Sequence, residues 1–458
     1  MKRFWKVTVS LITALGLITC AGCGGKSEDE STDKAPETNQ SEAAEAPGSQ
    51  EEAKEEIVLR VFSTNPDRQT GLGKVEQAML DEYTSAHPNV TFEVESITGD
   101  AALNKIRAYT ASNDMPDLWF ISGVKSIVGP MVDGGHLMEL NPADYEKFNY
   151  LPGSTDFLTY DGKMYGLPLS TDMMVMYYNQ KLFDDAGVAV PATLEELKTA
   201  SGALRDKGIM PLSFAGKEKW EACLMYQTLA AAATGDQKVI YQAVNQETTF
   251  AGDEGLKKAA EDLKGMNDAK VFQDGFSTAD SGIAKNLFGQ QQAAMYYSGS
   301  WELSMINDEA FPQEFRDNVH VALLPIPEDS KGAASDMVAW YGASMLASAK
   351  TEHPDVVKDV ISYIADPEHY AKMIWSDGAA VPAQDISAFT GEIEQTRLQE
   401  ELMAFFSKAT STSGTTWNDV GTAEFKTNME DNSQGLITGV TSPEEFLKTC
   451  DQSAQAMK

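Results

Sequence analysis

The chain has 458 residues, with 36 Lys plus Arg against 69 Asp plus Glu, for a formal net charge of −33 at pH 7. Its 42% hydrophobic content is enough for two or three cores, which excludes a mainly disordered chain. The acidity excludes a nucleic-acid or anionic-membrane partner, because phosphate binding needs clustered Lys and Arg, and leaves a neutral or cationic ligand.

Lys2, Arg3 and Lys6 open the chain, and Val7 to Ala21 is an uncharged, mostly apolar run of 15 residues. A membrane-spanning helix takes about 20 residues, so this run reads as a cleaved secretory signal. Cys20-Ala21-Gly22-Cys23 resembles the bacterial lipobox, in which a small residue precedes a Cys that is lipidated and becomes the new N-terminus. Cys23 follows Gly22 and is the expected lipidation site, with 1–22 as the signal; Cys20 stands where the motif prefers Leu. The two cysteines also spell C-x-x-C, but no second pair exists to complete a zinc site. Gly25-Lys26-Ser27 imitates the end of a phosphate loop without its first Gly or a preceding strand. Gly24 to Glu56 has no Val, Leu, Ile, Met or aromatic residue and sets eleven acids against three lysines. Such a stretch cannot bury apolar surface, so 23–56 is expected to be a disordered acidic tether below a lipid anchor. Cys223 and Cys450, the remaining cysteines, read as buried free thiols.

From Ile57 the pattern becomes globular. Ile57 to Phe62 reads as a buried strand, and Val75, Met79, Tyr83 and Ala86 recur at helical spacing up to His87-Pro88. Val90, Phe92 and Val94 alternate as a strand, Asp100 caps a helix through Leu103, Ile106 and Tyr109, and Asp117 to Ile121 is a further buried strand. This β-α-β-α-β succession predicts an α/β fold with a mainly parallel sheet and a ligand site beyond the carboxyl ends of its strands. Met173 to Tyr178, Ile209 to Phe214, Ala293 to Tyr297, Val319 to Leu324 and Trp340 to Ala347 are further strands. Trp220 to Ala232, Asp253 to Met266, Pro354 to Ile364 and Arg397 to Lys408 are helices. Thr193-x-x-Glu196 is a capping box, and Ser442-Pro443 starts a last helix.

Three blocks then stand in a telling order. They are Asp161-Gly162-Lys163-Met164-Tyr165-Gly166-Leu167-Pro168 with Met176 to Phe183 and Pro191-x-Thr193-x-x-Glu196-Leu197; Ala293-Ala294-Met295 through Gly299-Ser300-Trp301; and Leu324-Pro325-x-Pro327 leading to Trp340 and His353-Pro354. In this combination the chain from about Ile57 to its end resembles the extracellular solute-binding proteins of ABC importers, the carbohydrate-binding group that includes maltose-binding protein. The resemblance implies a two-lobed, periplasmic-binding-protein-like fold: each lobe a mainly parallel sheet flanked by helices, joined by hinge strands. Lobe 1 would take 57–168 and about 335–380, lobe 2 would take 169–334 and about 381–458. Tyr165 to Pro168 and Leu324 to Pro327 are the expected hinge entries. It implies a monomer outside the bacterial membrane that hands a sugar to permease subunits and needs no cofactor.

A sugar presents apolar C–H faces ringed by hydroxyls, so its pocket needs aromatic platforms and convergent polar groups. Trp301 follows Ser298-Gly299-Ser300, where the resemblance places a stacking platform, and Asp172 follows Pro168, where it places a ligand carboxylate. Trp340 and Tyr341 open a strand expected to return through the hinge. Trp220 follows the polar loop Ala215 to Lys219, and Trp417 stands among Ser, Thr and Gly residues. Ser63 and Asn65 end the first strand and Ser122 and Gly123 the third, so all four face the expected crevice. Trp119 and Trp375 read as packing, Asp117 as a strand-start residue, and Met173, Met174 and Met176 as core rather than copper ligands. The five His residues show no metal-ligand spacing, and neither Gly-x-Ser-x-Gly nor His-Glu-x-x-His occurs. A secreted glycoside hydrolase would also use aromatic platforms with paired carboxylates. It stays open as an alternative, as does a binder of a polyamine, a peptide or a metal chelate.

Overall fold

Hydrophobic periodicity sets the elements. The computed structural model describes residues 55–388 and 390–457; the signal, Cys23 and all of the tether before Glu55 lie outside them. In chain order the strands are β1 (Ile57–Ser63), β2 (Val90–Ser96), β3 (Leu118–Ser122), β4 (Thr159–Tyr160), β5 (Lys163–Met164), β6 (Gly166–Pro168) and β7 (Ser170–Asn179). They continue as β8 (Met210–Ser213), β9 (Ala293–Gly299), β10 (Val319–Ala322), β11 (Ala339–Tyr341), β12 (Ala343–Ala347) and β13 (Val381–Pro382). β4 and β5 form a small hairpin.

The first sheet has the order β2-β1-β3-β12-β6. β1 pairs in parallel with β2 and β3, whereas β12 runs antiparallel to both β3 and β6. Helix Gly71–Ala86 covers it with Val75, Met79, Leu80 and Tyr83, a stripe at helical spacing. Leu59, Val61, Leu118 and Phe120 enter one hydrophobic cluster, and Phe62, Trp119 and Ile121 enter another on the opposite face. This is the two-sided burial expected of an α/β sheet.

The second sheet has the order β10-β7-β9-β8, with β11 and β13 also on β7. Met174 and Met176 of β7 join one cluster while Met173, Val175 and Tyr177 join the other, so this sheet too is buried on both faces. Its strand directions correct the sequence reading. Only β8 and β9 run parallel here among the described residues, while β7 is antiparallel to β9, β10, β11 and β13. The cause is connectivity: β7 leaves the hinge and runs outward, whereas β8 and β9 run back toward it.

Three further points differ from the sequence reading. The expected single strand Trp340 to Ala347 is two strands in different sheets, broken at Gly342. Met337, Val338, Ala339 and Trp340 pack with the second sheet's clusters, so the return to the first sheet starts at Ala343 rather than near 335. Leu324 to Pro327 is not a crossing, because Ile326 bridges Thr193 and accepts from the Leu194 N–H, which ties it to the second lobe. The chain passes between lobes at 168–170, at 341–343 and again after Val381–Pro382, where Gln384 still donates to the Phe148 and Ala365 carbonyls of the first lobe. The Thr193 capping box forms with both hydrogen bonds, and the Ser442 side chain caps Pro443–Ala456. The helix expected to start at Asp100 starts at Gly99 with Thr98 before it. Cys223 and Cys450 are buried and free, and among the described residues no helix is long and apolar enough to cross a membrane.

Candidate functional site

β1 and β3 of the first sheet and β8 and β9 of the second end toward a common cleft with a cavity volume of about 310 Å³. Asn65 and Ser122 line it from the first lobe; Asp172, Trp220, Trp301 and Trp340 line it from the hinge and the second lobe. Six of the ten sequence-predicted ligand residues therefore converge, from six separate segments of the chain.

The three tryptophans form a continuous aromatic wall. Trp301 lies 5.9 Å from Trp220, at 54° between ring planes, and 6.0 Å from Trp340, at 65°. Trp301 is the second residue of the 3₁₀ turn Ser300–Asn307 that follows β9 directly, and its ring folds back over Gly299. A Cβ at Gly299 would stand 2.0 Å from that ring, so only glycine lets the strand end there carry the platform. Trp220 is the first residue of helix Trp220–Thr234, and Trp340 is the ladder partner of Asp172.

Asp172 supplies the charge. It is buried, and its Oδ1 accepts from the Ser170 hydroxyl at 2.7 Å, while Ser170 Oγ accepts from the Ala343 N–H at 3.1 Å. At Gly342 a Cβ would fall 1.6 Å from Asp172 Oδ2, so the carboxylate occupies the space where a side chain would break the crossing strand. No cation pairs with Asp172 among the described residues. Burial accordingly raises its pKa to about 6, against the opposing pull of the Ser170 hydrogen bond. A buried carboxylate with one hydroxyl partner has acceptor capacity left for ligand donors.

One end of the cleft is polar, and sequence reasoning missed it. Lys426 lies between Asp419 at 2.7 Å and Glu430 at 2.8 Å, and Asp419 also accepts from Ser126 of the first lobe at 2.6 Å. Glu218 and Asn418 complete this end. The i,i+4 spacing of Lys426 and Glu430 was a readable pairing signal. Nothing local ties residues 416–430 to a cleft, since their approach to the first lobe is tertiary.

Four predicted residues lie elsewhere. Trp417 is fully buried, donates through Nε1 to the Cys223 carbonyl at 2.8 Å and packs on Tyr226 and Phe250, so it is core. Ser63 is fully buried and donates to Glu76 at 2.6 Å. Tyr341 points away from the cleft, as the neighbour of Trp340 on a strand must, and stacks on Phe157 at 6.1 Å. Gly123 contributes backbone: its N–H donates to the Gly342 carbonyl at 3.0 Å and holds β3 against the crossing segment.

The family described as bacterial extracellular solute-binding protein matches residues 78–396. The multiple sugar-binding protein of Streptococcus mutans is 23% identical over 401 residues, covering 84% of this chain and 89% of that one. The melibiose/raffinose/stachyose-binding protein MelE of Bacillus subtilis is 24% identical over 381 residues, covering 80% and 79%. A structure reported with insights into xylan utilization by the thermophilic bacterium Caldanaerobius polysaccharolyticus superposes with a TM-score of 0.78 at 24% identity, over 88% of this chain and all of that one. A chitin oligosaccharide binding protein gives 0.73 at 21% identity, over 87% and 98%. These likenesses carry the two-lobed fold, and the family match spans more than half of the sequence. The chain belongs to the bacterial extracellular solute-binding proteins.

Proposed function

We propose that the protein captures an oligosaccharide in the cleft between its lobes and delivers it to the permease of an ABC importer. The observation that carries this reading is the wall of Trp220, Trp301 and Trp340 beside the buried, cation-free carboxylate of Asp172. Flat rings match the apolar faces of a pyranose, and a carboxylate accepts from its hydroxyls. The relatives support it, since they are named for binding melibiose, raffinose, stachyose and multiple sugars. Closure follows from the architecture: the lobes rotate about the crossing segments, and a ligand favours the closed form by touching both sides.

A thermal-shift screen against raffinose, stachyose, maltotriose, xylotriose and chitotriose tests the reading. A sugar at 100 times its dissociation constant stabilises the fold by about 2.7 kcal/mol. One or more of them is expected to raise the melting temperature with no release of reducing ends. No shift with any sugar contradicts the oligosaccharide reading, and turnover establishes a hydrolase.

The Gly22-Cys23 junction and the acidic stretch after it support a lipid anchor and tether at the outer face of the membrane. Mass spectrometry of the native protein is expected to find a diacylglyceryl group on an N-terminal Cys23. An unmodified Cys23 or a retained Met1 to Gly22 overturns the anchor.

A further inference from the structure

Behind the cleft wall, the end of β1 meets a carboxylate whose two oxygens have different partners. Glu76 projects from helix Gly71–Ala86 and is 1% exposed. Its Oε2 accepts from Ser63 Oγ at 2.6 Å and from Arg68 Nη1 at 2.7 Å, and its Oε1 accepts from Asn65 Nδ2 at 2.6 Å. The Asn65 backbone N–H donates to Ser63 Oγ at 3.0 Å, which closes the ring. A carboxylate held by arginine offers only acceptors, so Asn65 must turn its NH₂ toward it. The orientation of the amide is thereby fixed by chemistry and not by shape. Asn65 lines the cleft, and its Oδ1 has no protein partner among the described residues.

We propose that Glu76 is a positioning residue that sets the hydrogen-bond polarity of the cleft, making Asn65 an acceptor that selects ligands presenting a hydroxyl donor at that corner. With Asp172, the cleft then has an acceptor on each side, and a ligand that presents an acceptor to Asn65 is rejected. A mismatched polar pair in a buried site discriminates far more strongly than a missing apolar contact. This inference rests on the oligosaccharide reading of the cleft.

The geometry dictates what Glu76→Gln does. Ser63 and Arg68 both need an acceptor, so the oxygen of the new amide takes the Oε2 position and its NH₂ takes the Oε1 position facing Asn65. Asn65 must then flip and present NH₂ to the cleft, with the shape of the site unchanged. Asn65→Asp in the otherwise native protein sets two carboxylates against each other. In the double variant, the amide introduced on the helix donates to one oxygen of the carboxylate introduced after β1. The other oxygen of that carboxylate faces the ligand as an acceptor, and the negative charge beside Arg68 is restored.

Calorimetry on the full chain, with the tightest binder among raffinose, stachyose, maltotriose, xylotriose and chitotriose, tests this. Glu76→Gln and Asn65→Asp are each expected to weaken binding at least about tenfold, and the double variant to return within about threefold of the native affinity. A purely structural role gives additive losses, which overturns the proposal, as does unchanged binding in E76Q. If E76Q does not fold, N65D alone decides: a loss of about tenfold in a folded protein supports the proposal and unchanged affinity overturns it. If no sugar binds the native protein, the oligosaccharide reading fails separately. The side-chain NH₂ resonance of Asn65, in asparagine-labelled protein without sugar, then decides: displacement and faster exchange in E76Q support the flip, and an unchanged signal overturns it.

Discussion

Replacing Trp301 by alanine is expected to weaken oligosaccharide binding by more than about 30-fold while the melting temperature of the free protein changes little. The ring is half-buried and touches Trp220 and Trp340, which keep their own contacts with the second lobe's core when it is removed. Most of what is lost is the platform itself, and truncating an aromatic anchor typically costs about 2 to 4 kcal/mol of binding. Trp417→Ala is the contrasting case. That ring is fully buried and hydrogen-bonded to the Cys223 carbonyl, so its removal is expected to destabilise the fold by about 3 to 5 kcal/mol. Calorimetry and thermal melts on the two variants separate site from core. If Trp301→Ala binds normally but melts early, Trp301 belongs to the core.

Asp172→Asn is expected to show the opposite couple: a more stable free protein that binds at least about tenfold more weakly. In the folded protein burial raises the pKa of this carboxyl from 3.8 to about 6, so at neutral pH the fold carries an unfavourable buried charge. The folded state holds its proton where the unfolded state has lost it, so this group's contribution to stability falls as pH rises from about 4 to about 6 and stays low above that. An amide removes that penalty, on the order of 1 to 3 kcal/mol. Sugar hydroxyls that donate to the carboxylate favour its charged form, so native affinity is expected to rise between about pH 5 and pH 7 as a proton is released on binding. In Asp172→Asn this part of the pH dependence should vanish. A variant that binds as tightly as the native protein at pH 7 would remove Asp172 from the site.

The elements with strong local signals were legible. β1, the Thr193 capping box and the Ser442 start each depend on residues within a few positions of one another, so their physics is written in the sequence. Strand direction was not, because whether β7 meets β9 antiparallel depends on where a chain of over a hundred intervening residues returns. The break at Gly342 was hidden for the same reason: the carboxylate that displaces a side chain there belongs to Asp172.

The site divides the same way. Trp301 stood out through the small residues before it, and the reason is now physical, since the ring needs the space over Gly299. Trp417 misled because the Ser, Thr and Gly residues before it suggested a surface loop, yet Thr416, Asn418 and Asp419 beside it are all buried. Thr416 and Asp419 hydrogen-bond each other, and Asn418 donates to Glu430. Local polarity reports burial poorly where tertiary partners satisfy the polar groups. Ser63 was placed in the crevice because it ends a strand, but its partner Glu76 sits thirteen residues further on, on the covering helix.

The most direct measurement is a crystal structure of the protein with the sugar that gives the largest thermal shift. Density is expected for a pyranose ring stacked on Trp301 within the cleft, with hydroxyls donating to Asp172 and to Oδ1 of Asn65 and with both lobes in contact with the ligand. A sugar bound outside the cleft, or one in the cleft touching neither Trp301 nor Asp172, would contradict it.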